Sequence, residues 1–63
     1  MTIRVMIGNY EEKGGRTIRI ESLRYNKDTG TTTTIFEAEL APGEKQEFHV
    51  HLLNDLRIRE LQP

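Results

Sequence analysis

Apolar residues recur at every second position in short runs along this chain, and that period of two is the feature that most limits its fold. It is clearest after Pro42-Gly43, where Phe48, Val50 and Leu52 alternate with Glu47, His49 and His51. A strand with one wet face and one buried face has this pattern. Proline pre-sets the first central φ of a type II turn and glycine takes the positive φ of the second, so Pro42-Gly43 predicts a turn leading into that strand.

The same alternation marks four further runs. Thr2 to Ile7 places Ile3, Val5 and Ile7 on one face, and Gly8-Asn9 punctuates it. Gly8 to Gly15 reads as a loop, with Gly14-Gly15 as a tight turn and the Tyr10 ring expected over the edge of the core. Arg16 to Tyr25 changes phase, since Ile18 and Ile20 share one parity and Leu23 and Tyr25 the other. A β-bulge near Glu21-Ser22 would return both halves to one core; the alternative is that the strand ends near Ser22. Asn26-Lys27-Asp28-Thr29-Gly30 predicts a hairpin loop with Gly30 left-handed. Thr31 to Leu40 follows, with Phe36, Ala38 and Leu40 inward and Thr31, Thr33, Ile35, Glu37 and Glu39 outward. Its four consecutive threonines favour extended backbone and read as an ordinary hairpin arm. Asn54-Asp55 breaks the strand after the Pro-Gly turn. Leu56 to Leu61 then forms the last strand, with Leu56 and Ile58 inside, Arg57 and Arg59 outside, and Gln62-Pro63 as a tail.

No run of helical period is long enough to count, so the expectation is one all-β domain over residues 1–63, a small five-stranded antiparallel sandwich or a partly open barrel. Chains this short bury only about 60% of the surface that their unfolded form exposes. The 35% apolar content makes the core thin, and the absence of cysteine removes disulfides, thiolate metal sites and a cysteine nucleophile. Self-association is therefore one expected route to completing the core. The N-terminal residues lack a signal-peptide pattern and no apolar run approaches the ~20 residues of a membrane span, which predicts a soluble, cytoplasmic protein.

Charge near neutrality, formally −1, gives no global field to announce a nucleic acid. Its placement is more informative. Ile3-Arg4-Val5, Ile18-Arg19-Ile20 and Leu56-Arg57-Ile58 each flank an outward arginine with two inward apolar residues. If these strands share a sheet, Arg4, Arg19, Arg57 and Arg59 form a basic stripe, while Glu37, Glu39 and Glu47 gather acid on the other hairpin. An arginine stripe contacts phosphates, and Tyr10 or Tyr25 at an edge would stack on bases, as in small barrels that hold single strands. Glu21 and Glu60 interrupt the stripe, and alternating charge on an exposed face commonly serves solubility.

A second constellation is His49-Val50-His51. Residues two apart in a strand share a face, so both imidazoles, with Glu47 next in the row, form a candidate set for a divalent metal. In a Pro-Gly hairpin, Glu37 or Glu39 would sit opposite and add carboxylate ligands. The spacing of Gly43, His49, His51 and Asp55 resembles the first motif of the cupin family, with Asp55 where that family usually has glutamate. The resemblance implies a barrel with a metal held by the two histidines. It covers about a dozen residues, and the family's second motif has no counterpart in the chain. The apolar alternation instead turns the histidines away from the core.

Convergent catalytic chemistry is not visible. Ser22 lacks a glycine-rich elbow, Glu37 and Glu39 lie on an outward face, and Gly14-Gly15 lacks the Lys-Ser/Thr of a phosphate loop. The expected function is thus a non-enzymatic protein-interaction module, an accessory, inhibitory or self-assembling factor, with no cofactor and with Arg4, Arg19, Arg57 and Arg59 at its interface. A nucleic-acid-binding barrel using the same arginines and an HxH metal-binding protein are the alternatives.

Overall fold

In a computed structural model, residues 1–10 and 15–61 are described, and they form five strands and no helix. These are β1 (Thr2–Gly8), β2 (Ile18–Asn26), β3 (Thr31–Leu40), β4 (Lys45–His51) and β5 (Asp55–Glu60). All pairings are antiparallel and make two sheets, β1-β4 and β3-β2-β5, which do not close into a barrel. Among the described residues no helix is long and apolar enough to cross a membrane. The expected turn at Gly14-Gly15 and the tail Gln62-Pro63 lie wholly or partly outside the described residues.

Among the described residues only β2 and β3 form a hairpin. Gly30 takes φ +71, its N–H donates to the Asn26 carbonyl at 2.8 Å, and Asn26 Oδ1 accepts from Asp28 N–H, as the turn residues predict. Pro42-Gly43 is also a tight turn, with Gly43 at φ +88 and Glu44 N–H donating to the Ala41 carbonyl at 3.0 Å. It does not close a hairpin. β4 leaves β3 and pairs with β1, from Thr2↔His51 to Gly8↔Lys45, so the turn carries the chain from one sheet to the other. An expected β3–β4 ladder is therefore corrected. The inward set Ile3, Val5 and Ile7 of β1 matches Phe48 and Val50 of β4, and this apolar match selects the long-range partner.

Asn9 fastens the junction. Its main chain extends the β1–β4 ladder, donating from N–H to the Glu44 carbonyl at 2.8 Å and accepting from Gly43 N–H at 2.6 Å. Its buried side chain donates to the carbonyls of Arg16 at 2.7 Å and Leu40 at 3.1 Å, which belong to the approach to β2 and the end of β3.

The inner faces meet in one cluster of Ile7, Ile20, Leu40, Phe48 and Val50, with Val5, Ile18, Phe36 and Ala38 packed around it. Phe36 and Phe48 stack across the sheets with centroids 5.7 Å apart and planes 5° from parallel. Coverage is incomplete. The molecule measures 44 × 25 × 11 Å with a radius of gyration of 13.3 Å, larger than the ~11 Å of a compact chain this long. Every residue of β5 is exposed, including Leu56 and Ile58, which were expected inside.

The predicted break in β2 is found between Ser22 and Leu23, but the extra residue belongs to β3: Ser22 pairs with Phe36 and Leu23 with Thr34, leaving Ile35 unopposed. β2 itself keeps one register with β5 through Leu23, so it does not change phase. Leu23 is consequently only half-buried and Tyr25 is exposed. Two further expectations are corrected. Leu52 falls in the turn after β4 and is exposed, and Tyr10 is largely exposed, with its ring over Gly8, where an added Cβ would stand 2.5 Å from the ring.

Candidate functional site

The outer face of the three-stranded sheet collects most of the singled-out charges. Directly opposed residues share a face, and two rows cross it: Glu39–Arg19–Arg59 and Glu37–Glu21–Arg57. Arg19 reaches Glu39 at 3.3 Å, and Glu21 lies between Arg57 and Arg59, each at 3.1 Å. Arg57 donates a hydrogen bond to Glu21 Oε2, whereas Oε1 faces Arg59 as an ion pair without hydrogen-bond alignment.

Glu21 is only 4% exposed although it sits on the outer face, and Arg57 and Arg59, both half-exposed, pair with its two carboxylate oxygens. The Arg57 hydrogen bond holds its carboxyl below the ordinary 4.5; burial pushes the other way, and the charges of Arg57, Arg59 and Arg19 add to the lowering.

The four-arginine stripe is thereby corrected. Arg4 lies in the other sheet, where it faces His49 across the ladder and reaches Glu47 at 3.7 Å, a long and exposed pair. The expected segregation of acid from base is corrected too. Because β3 pairs with β2, Glu37 and Glu39 stand in the same rows as Arg19, Arg57 and Arg59, and the face is an interleaved network.

His49 and His51 share the outer face of the two-stranded sheet, as the period requires, and their opposed residues are Arg4 and Thr2. Glu37 and Glu39 are on a different sheet and do not oppose them, which corrects the expected carboxylate ligands. Glu47 turns toward Arg4, and His51 Nδ1 accepts the Leu53 N–H at 3.1 Å. Among the described residues no three His, Cys, Asp or Glu side chains converge as a metal site. The two histidines of the cupin-like spacing thus lie on the outer side of the two-stranded sheet, whereas its Asp55 stands on β5 of the other sheet, and neither sheet closes into a barrel.

Two features were missed in the sequence. Ser22 is fully buried and its Oγ has no hydrogen-bond partner among the described residues; its parity with Ile18 and Ile20 was the available signal. The second is the apolar flank made by Leu56 and Ile58. They oppose Ser22 and Ile20 of β2, so they belong to the core-facing side, yet they are 36% and 50% exposed. The two-stranded sheet covers β2 and β3 and leaves this margin open.

No protein-family model matches the chain, and comparison with curated proteins and with solved structures finds no match.

Proposed function

We propose that this protein is a non-enzymatic interaction module that binds protein through the uncovered margin of its three-stranded sheet. The observation that carries the reading is the exposure of Leu56 and Ile58 on the core-facing side of β5, beside a strand edge that no described strand occupies. Apolar side chains on the inner side of a sheet bury area when a second surface covers them, and an open edge offers main-chain hydrogen bonds to the same partner. The arginines next to this margin then align the partner more than they add affinity, because Arg57 and Arg59 are already committed to Glu21.

Those ion pairs also weigh against the nucleic-acid reading. Phosphate binding would compete with Glu21 and Glu39 for Arg19, Arg57 and Arg59.

Paired titrations test the proposal, with wild-type chain and a Leu56→Ser/Ile58→Ser double variant each measured against protein, itself included, and against short single-stranded oligonucleotides. Expected is protein association in the wild type that is lost in the folded double variant. Oligonucleotide affinity that falls steeply with salt and disappears in Arg19→Ala/Arg57→Ala, without any protein association, would replace the proposal with nucleic-acid binding.

A further inference from the structure

From the edge chemistry of β5 we infer that the partner is a second copy of this chain, paired antiparallel along β5 about a two-fold axis at Arg57 so that two three-stranded sheets join into one. The inference rests on the interaction-module reading above and specifies its occupant.

Leu61 N–H donates to the Thr17 carbonyl at 2.9 Å, continuing the β2–β5 ladder by one step beyond Ile18↔Glu60. In an antiparallel ladder such bonding residues alternate, so Arg57 and Arg59 turn their backbone groups toward β2. Leu56, Ile58 and Glu60 turn theirs outward. The free edge therefore offers N–H and C=O groups from Glu60 and from the two residues whose side chains form the apolar flank.

A two-fold axis perpendicular to a sheet keeps each face on its own side, so the register must oppose residues of like parity. Centring it on Arg57 opposes Leu56 to the second copy's Ile58, and these residues exchange backbone hydrogen bonds in both directions on either side of the axis. Their side chains become cross-strand neighbours on the inner face. On the outer face the same register opposes Asp55 to the second copy's Arg59, which is held by its own Glu21 through Nε at 3.1 Å, so Asp55 adds a second carboxylate beside that guanidinium and the symmetry repeats the contact. Arg57 meets its own copy at the axis. That like-charge contact is relieved because its guanidinium is drawn back onto Glu21 at 3.1 Å, away from the edge.

Neighbouring registers lack this agreement. Centring on Ile58 sets Arg57 against the second copy's Arg59 and Leu56 against Glu60. Centring on Leu56 opposes Asp55 to Arg57 but uses only the start of β5, which begins at Asp55. Charge and apolar matching both select the Arg57 register. A short edge pair buries little area, so a dissociation constant on the order of 100 μM is expected.

The test is the solution mass of the full chain by light scattering from about 10 μM to about 1 mM, a range set by that weak affinity. It is run on wild type, Ile58→Pro and Asp55→Lys. Ile58 N–H points away from β2, so proline there blocks edge pairing without removing a bond inside the sheet. Asp55→Lys is an exposed charge reversal that keeps the proposal testable if the proline variant fails to fold. A wild-type dimer that becomes a monomer in Ile58→Pro and weakens at least tenfold in Asp55→Lys supports the register. A dimer insensitive to both variants overturns β5 pairing while leaving an interaction module that uses another surface. A wild-type monomer at every concentration overturns self-pairing, and the fate of the module reading is then decided by its own titrations.

Discussion

Asn9 Nδ2 lies 3.1 Å from the carbonyl oxygen of Leu40, and the same nitrogen lies 2.7 Å from that of Arg16. Carbonyls only accept, so one amide nitrogen with two hydrogens is suited to this place, and it ties β1 to the strands of the other sheet. Asn9→Ala leaves two carbonyls without their donor, and a loss of about 2–3 kcal/mol is expected in urea unfolding. Asn9→Asp replaces the donor with a charge facing two oxygens and is expected to lose more.

Acid stability should depend on Glu21. Its folded pKa lies below its ordinary 4.5 because Arg57 hydrogen-bonds the charged form. The sign follows from which state takes up the proton first: as pH falls, the unfolded chain does. The carboxylate's contribution is complete above about 4.5 and is lost as pH drops through the lower folded value. Unfolding curves between neutral and strongly acidic pH should show wild type losing stability in that window. Glu21→Gln should be less stable at neutral pH and flatter below it. Arg57→Ala should raise the Glu21 pKa, read from the carboxyl resonance by NMR.

Ser22→Ala is expected to stabilise the protein by about 1 kcal/mol, because it removes a buried hydroxyl with no partner among the described residues and keeps the small volume between Phe36 and Leu56. Chemical denaturation with an unchanged m-value checks this, since the surface exposed on unfolding stays the same.

Phe48 is the buried side chain whose truncation should remove a large part of the stability. Its ring is buried and stacks on Phe36 between the sheets. Phe48→Ala costs about 3–5 kcal/mol. A chain of this length holds roughly 3–9 kcal/mol in total. Thermal melting by circular dichroism should show a sharply lowered midpoint for Phe48→Ala and a smaller decrease for Phe48→Leu.

Strand content was legible because the determinants are local. β3 spans the predicted Thr31 to Leu40, and Gly30 and Gly43 take the positive φ that their turns require. What misled was adjacency. Pro42-Gly43 joins neighbouring runs, and a turn of this type ordinarily closes a hairpin, so β3 and β4 were expected to pair. The carboxylates opposite His49 and His51 and the acid-base segregation depended on that pairing, whereas the four-arginine stripe depended on β1 sharing a sheet with β2 and β5, and β1 pairs with β4 instead. The phase change at Leu23 was a real signal with the wrong owner, because the unopposed Ile35 lies on the partner strand, whose own pattern stays regular from Phe36 to Leu40.

The amino-acid sequence by itself determined where this chain is extended, where it turns and which side of each strand is apolar, since φ restrictions at proline and glycine and the alternation of side chains act within a few residues. Tertiary structure alone decided that β1 pairs with β4, that Arg57 and Arg59 converge on Glu21, and that Leu56 and Ile58 are left uncovered. Those outcomes depend on which faces match across the whole chain and on how much of one sheet a two-stranded partner can cover, and neither quantity is written in any single stretch of residues.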